Sequence, residues 1–349
     1  MTRAAVLAGL GAALPPHLVT NADLADVLAT SDDWIRTRTG IATRYVIEPG
    51  SATSDLAVEA GQRALASADT HRVDLVVLAT STPDHPCPAT APAVAWRLGL
   101  GGVPAFDIAA VCSGFVYALA VAAGQIALGI TQRALVIGAD TFSTIIDPAD
   151  RTTRAIFGDA AGAVVLRAGE RDEPGALLGF DLGSDGEHAD LITVPAGGSR
   201  ERSTPHSVAA AKRYFTMQGR DVFYRAVVSM TESATSVLKQ TNWSIDQVDR
   251  LVAHQANLRI LHSVADQLGM DHDSVVVNLD RVGNTVAASI PLALADAVLG
   301  ATLREGHRVV LSGFGGGLTW GSTALRWPDV AVAPFYPEYQ EKQYGGKTK

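Results

Sequence analysis

One series of elements occurs twice along this chain, and that repeat limits the folds open to it. In the first half "VDLVVLAT" (73–80) reads as a buried strand and is followed by a helix ending in "WRLGL" (96–100). Then come "VPAFDIAAVCSG" (103–114), a long apolar helix and "RALVIGADT" (133–141). In the second half "VDRLVAHQ" (248–255) opens the same series, and a helix ends in "DQLGM" (266–270). "DSVVVNLDRVGNT" (273–285), an Ala/Leu-rich helix and "HRVVLSGFGG" (307–316) follow. Apolar runs alternating with helices predict parallel strands covered on both faces. Their repetition predicts an α/β fold of two pseudo-equivalent halves packed together.

The chain is long enough for two such halves at 349 residues. Its formal net charge of −8 speaks against general nucleic-acid binding, which needs a basic footprint. Two cysteines, Cys87 and Cys112, make no disulfide framework and fit a reducing cytosol. The opening "MTRAAVLAGLGAALPP" is Gly-broken and leads into "TNADLADVLATSDDWI", which reads as a capped helix, so it predicts a buried strand and not a leader. No apolar run is long enough for a membrane span, so no membrane partner is expected.

The repeat brings three distant residues into one neighbourhood. Cys112 and Asn284 fall at about the same place in their two units, each after a strand and before a small-residue helix. His254 ends the strand "VDRLVAH". Open α/β sheets place ligands beyond the carboxyl ends of their strands, so all three converge on the seam between the halves. A helix N-terminus favours a thiolate at Cys112, although a free cysteine in an Ala/Val-rich setting is ordinarily packing. Gln255 and Asn257 make an unusually polar group with His254, and "GNT" can be simply a turn with capping chemistry. "SGFGGGLTWGSTALRW" (312–327) puts three glycines after a strand, where backbone N–H groups can approach a ligand oxygen. It lacks phosphate-loop and GxGxxG patterns, and no metal-ligand spacing stands out. Together these features describe a cysteine nucleophile with an oxyanion site.

"AAVCSGF", "HQANLRI", "GNTVAASIP" and "FGGGLTWG", in that order, resemble the β-ketoacyl-acyl carrier protein synthase III family of the thiolase superfamily. The resemblance runs from about residue 3 to residue 327. It implies the duplicated five-layer αβαβα fold, with an N-terminal half over 1–170 carrying the nucleophile and a C-terminal half over 171–329 carrying His and Asn. It implies a Cys112–His254–Asn284 triad and an oxyanion hole of the Cys112 and Gly316 N–H groups. The implied reaction is decarboxylative condensation of an acyl-CoA primer, carried on Cys112, with malonyl-acyl carrier protein. That reaction starts fatty-acid or aromatic polyketide chains in the cytoplasm. It needs no cofactor or metal, and the family works as a homodimer. An acyl transfer from Cys112 to another nucleophile, without a new C–C bond, stays open as the alternative.

By the same resemblance Trp34, Arg38, Arg151 and Asn257 meet coenzyme A, an indole with arginines suiting a flat base. Phe142, Phe157 and Cys87 shape the acyl pocket, Cys87 from the neighbouring subunit. Relatives can carry a bulky residue at position 87, so Cys87 points to a primer longer than acetyl or branched, while Phe142 pulls the other way. Arg220 stands where some relatives carry Asn, which puts local coenzyme contacts in doubt. Arg259 matches a carrier-docking residue, and Arg225, Lys212 and Arg213 are further basic candidates. The Pro-, Tyr- and Lys-rich stretch 330–349 runs past the family's usual end and is expected to be a flexible tail.

Overall fold

In a computed structural model, which describes residues 3–202 and 210–337, the two series fold as two sheets that share a helical layer. β1 (Arg3–Ala13) opens the chain, and β2 (His17–Thr20) and β3 (Thr43–Val46) pair around α1 (Asn21–Val27) and α2 (Asp32–Thr39). α3 (Thr53–Ser67), β4 (Leu75–Ala79), α4 (Ala91–Arg97), β5 (Ala105–Ile108), α5 (Gly114–Ala127), β6 (Arg133–Asp140), α6 (Arg151–Arg154) and β7 (Ala160–Glu170) complete the first series. The second holds β8 (Leu177–Ser184), the short pair β9 (Ile192–Thr193) and β10 (Thr216–Met217), α7 (Gly219–Thr241) and β11 (Arg250–Ala253). It continues with α8 (Leu258–Leu268), α9 (Leu279–Val282), α10 (Ser289–Leu299), β12 (Arg308–Gly315) and β13 (Thr319–Arg326).

The first sheet has the order β1-β7-β6-β4-β5 and the second β11-β12-β13-β8. Alternation along β4 shows why its sequence is apolar throughout. Leu75, Val77 and Ala79 face the central layer of α5 and α10, and Val76 and Leu78 face α3 and α4. β12 divides likewise, with Val309 and Leu311 towards the centre and Val310 towards α7 and α8. The result is the duplicated αβαβα arrangement that the resemblance implies. The sheets are mixed rather than wholly parallel: β7 runs antiparallel to β1 and β6, and β13 to β12 and β8.

Three further expectations change. "DSVVVNL" is not a full strand, because its pairing shrinks to one bridge between Val275 and Leu251. The expected single helix at 20–35 is two, α1 with a Thr20–Asp23 capping box and α2 with its Trp34 N–H on the Ser31 hydroxyl. The first part of the supposed tail is packed: Val330, Phe335 and Tyr336 are buried against the central core, and Tyr336 Oη donates to Asp296 Oδ1 at 2.9 Å. Residues 338–349 of that stretch lie outside the described residues. Among the described residues no helix is long and apolar enough to cross a membrane.

Candidate active site

The repeat is reproduced in the backbone at the site itself. Beyond β5 a 3-10 turn, Val111–Ser113, leads into α5, and before α10 stands its counterpart, Val286–Ala288. Each turn starts with a valine at positive φ, +45° at Val111 and +53° at Val286. Such a conformation costs a branched residue about 1–3 kcal/mol and persists only where its surroundings impose it. The residue matching Cys112 is therefore Ala287, and Asn284 lies three residues earlier; the two candidates share an element and not a position.

Cys112, His254 and Asn284 line a single cavity of about 180 Å³. Burial pushes the Cys112 thiol above its ordinary value, and the negative charge of Asp140 adds to this. The N-terminus of α5, which has no charged side chain in its first turn, acts in the opposite sense. Gly315 at the end of β12 is glycine for a steric reason: a Cβ there would stand 2.6 Å from the Cys112 nitrogen and 3.1 Å from the Ala110 oxygen. Gly315 lines the cavity, whereas Gly316 lies one residue further on against Ile192.

His254 follows β11 and is held by its own N–H on Ser312 O at 2.8 Å. Its Nδ1 lies 2.7 Å from Ser289 Oγ, in the first turn of α10. Burial draws the imidazole down to about 3, so it is neutral at physiological pH. Asn284 is fixed through its backbone to Ile156 and Gly158, and its Oδ1 accepts from the Val286 N–H at 3.0 Å. That bond assigns the oxygen, leaving Nδ2 as the donor end of the amide. Gln255 is structural: its amide donates to Ala253 O and Val276 O and accepts from Asn278 N. Asn257 caps α8 through Arg259 N and donates to Arg38 O at 2.9 Å, and it lines the cavity too.

Phe142 and Phe157 stand together beside Cys112, with ring centroids 4.7 Å apart. A third ring, Phe215, completes the cluster at 4.9 and 5.2 Å from them. It escapes a reading of the sequence because "KRYFTM" looks like a polar loop. Trp34 lies under two guanidinium groups, Arg38 at 4.7 Å and Arg151 at 5.1 Å from the ring centroid. Cys87 is exposed in the loop before α4 and takes no part in lining this chain's own cavity. Arg220 is exposed at the start of α7, next to the cavity-lining Gly219.

The basic docking candidates separate. Arg225 is engaged within the chain: it donates to His188 Nε2 at 2.6 Å and lies 3.5 Å from Asp185 Oδ2. Lys212 pairs with Glu201 at 2.8 Å. Arg213 closes the short turn Ala210–Arg213. Arg259 is exposed and donates to Thr37 O at 2.7 Å. Asp185, Glu187 and His188 bring ligand-type atoms within 4.8 Å of one another, but Asp185 and His188 already serve Arg225.

The folded halves and the Cys–His–Asn cavity at their seam define a thiolase-fold enzyme of the condensing type. Two family models match the chain, "3-Oxoacyl-[acyl-carrier-protein (ACP)] synthase III" over residues 106–186 and the C-terminal model of the same family over 238–327. The chain belongs to the 3-oxoacyl-[acyl-carrier-protein] synthase III family. It is 64% identical over 332 residues to β-ketoacyl-[acyl-carrier-protein] synthase III 5 of Streptomyces coelicolor, covering 95% of this chain and 100% of that one. It is 53% identical to the crystal structure of the Pseudomonas aeruginosa synthase III, with a TM-score of 0.87 over 94% of this chain and 99% of that one. A priming β-ketosynthase from a polyketide biosynthetic pathway is 31% identical, with a TM-score of 0.86 over 95% and 98% of the two chains.

Proposed function

We propose that this chain starts acyl chains by decarboxylative condensation of an acyl-CoA primer with malonyl-acyl carrier protein. Cys112 Sγ attacks the thioester carbonyl of the primer, coenzyme A leaves with the proton that the thiol loses, and the acyl group remains on sulfur. The passing oxyanion rests on the backbone N–H groups of Cys112 and Gly316. Malonyl-acyl carrier protein then loses CO2, and the electron pair of the broken C–C bond becomes an enolate. Its oxygen accepts from His254 Nε2–H and Asn284 Nδ2–H, and its carbon attacks the Cys112 thioester. The C–S bond breaks, the Cys112 thiolate takes up a proton from solvent, and the 3-oxoacyl-acyl carrier protein departs. The electrons come from the substrate's own carboxylate, so the sequence of steps requires neither redox cofactor nor metal.

The observation that carries this reading is that His254, beside the Ser289 hydroxyl, and Asn284, held by the Val286 N–H, line one cavity with Cys112. The buried neutral imidazole of His254 has its Nδ1 2.7 Å from the Ser289 hydroxyl, and the proposed tautomer accepts there and presents Nε2–H, while the Val286 N–H turns Asn284 so that its amide can donate. Two neutral donors suit a developing enolate in a dry site. Trp34, Arg38 and Arg151 form the proposed seat for the coenzyme's adenine and phosphates, with Asn257 further in. Arg259, two residues beyond Asn257, is the best candidate for carrier docking. The active form is proposed to be a cytosolic homodimer in which Cys87 of the partner subunit closes the acyl pocket. Incubation with a panel of acyl-CoAs and intact-mass measurement tests the first half-reaction, and added malonyl-acyl carrier protein tests the second. Acylation without a 3-oxoacyl product supports simple acyl transfer instead, and failure to label Cys112 removes both readings.

A further inference from the structure

Duplication of the fold should have produced two nucleophile turns, and the second one is still recognisable. Val286–Ala288 copies Val111–Ser113 down to the valine at positive φ, so the Ala287 N–H is the twin of the Cys112 N–H. The strands that face these turns correspond as well. β12 ends at Gly315 beside Cys112, and β6 ends at Asp140 beside Ala287. In the catalytic half the strand end carries no side chain, which keeps the space next to the Cys112 N–H open. In the other half the strand end carries a carboxylate, and Asp140 Oδ2 accepts from the Ala287 N–H at 2.9 Å.

We infer that Asp140 occupies the oxyanion position of a lost twin site and serves as a positioning residue for Asn284. Asp140 is fully buried, and its Oδ1 accepts from Ser81 N at 2.7 Å, Thr82 Oγ1 at 3.1 Å and Thr80 Oγ1 at 3.3 Å. One carboxylate thereby ties the end of β4 to the strained turn before α10. The two successive N–H groups of that turn are each held by a side chain, Val286 by Asn284 Oδ1 and Ala287 by Asp140 Oδ2. Asn284 is oriented by the first of these bonds, so it depends on the second to keep Val286 in place. Asp140, at the end of β6, thus positions the decarboxylation donor through the turn before α10. This inference rests on the proposed function.

The test uses two variants of the full-length protein. Asp140→Asn keeps the shape but removes the charge and leaves one set of donors without an acceptor. Cys112 alkylation by iodoacetamide at fixed pH is expected not to fall, because the bonds disturbed are those to Thr80, Ser81, Thr82 and Ala287, none of them in the turn that carries Cys112. Decarboxylation of malonyl-acyl carrier protein is expected to fall about tenfold, the effect of losing a hydrogen bond to a charged group. Asp140→Gly copies the Gly315 arrangement, and formate added to it is expected to raise its melting temperature and restore part of its decarboxylation, with no effect on the unaltered protein. Unchanged decarboxylation in Asp140→Asn, an equal loss of alkylation and decarboxylation, or no response of Asp140→Gly to formate overturns the inference. A variant that is not recovered folded even in formate counts against it equally. Alkylation and the formate-dependent melting need no carrier protein, so they decide this inference even if the unaltered protein fails to condense.

Discussion

Asn284→Asp separates the two jobs of the Asn284 amide. Oδ1 accepts from the Val286 N–H at 3.0 Å, and a carboxylate oxygen accepts there equally well, so the turn is preserved. What disappears is the N–H donor proposed to face the enolate. Loss of one such donor costs about 2.7–4 kcal/mol, or about 10²–10³ in rate. Malonyl-acyl carrier protein decarboxylation at neutral pH is therefore expected to fall by about 10²-fold or more. Cys112 acylation from acyl-CoA should fall much less, because its oxyanion uses backbone donors that the change leaves alone, although a new charge in the same cavity opposes the thiolate. The introduced carboxyl is buried, which lifts its folded pKa above the unfolded value of about 3.9. Below the raised value the carboxyl is protonated and can donate again, so the variant's residual condensation should recover as pH falls through it. By linkage, the variant's stability relative to the unaltered protein is highest at low pH and declines as pH rises through the folded value. The assay pairs intact-mass acylation with release of labelled CO2 across pH 5–9. Decarboxylation within about threefold of the unaltered protein, or an equal loss of acylation, refutes the role given to Nδ2.

Three other outcomes follow from the same geometry. Ser289→Ala removes the hydroxyl proposed to donate to His254 Nδ1 and should slow decarboxylation about fivefold, the worth of one neutral hydrogen bond, with the His254 ring nitrogen NMR shifts moving towards a mixture of tautomers. Phe335→Ala empties a fully buried ring site under the central layer and should cost about 3–5 kcal/mol, read as a lower urea midpoint; an unchanged midpoint contradicts the packing described for 330–337. Cys87→Phe should shift preference towards shorter or unbranched primers in a competition of acyl-CoAs, and an unchanged preference rules Cys87 out as a pocket residue.

The repeat and the site were legible because they rest on local patterns. Apolar strands, small-residue helices and glycine-rich turns carry their own periodicity, and four motifs sit at their junctions. What was hidden depends on contacts between distant segments. The equivalence of Cys112 with Ala287 shows only in the two positive-φ valines, and the loss of a strand at 273–277 only in its pairing. Ser289 stood inside a recognised motif, but its bond to His254 spans 35 residues. Phe215 and Tyr336 sit in polar-looking stretches whose burial is decided by surfaces far along the chain. The contacts of Arg225 with His188 and Asp185 likewise join segments about 40 residues apart, which no local pattern shows.

The central claim is that the acyl group on Cys112 becomes one end of a new C–C bond. A single turnover with acylated protein and malonyl-acyl carrier protein, followed by mass and by labelled CO2, tests this directly. Loss of the Cys112 adduct, release of CO2 and appearance of the 3-oxoacyl-acyl carrier protein should run together, one for one, and vanish in Cys112→Ala. Loss of the adduct without CO2, or condensation that survives Cys112→Ala, contradicts it.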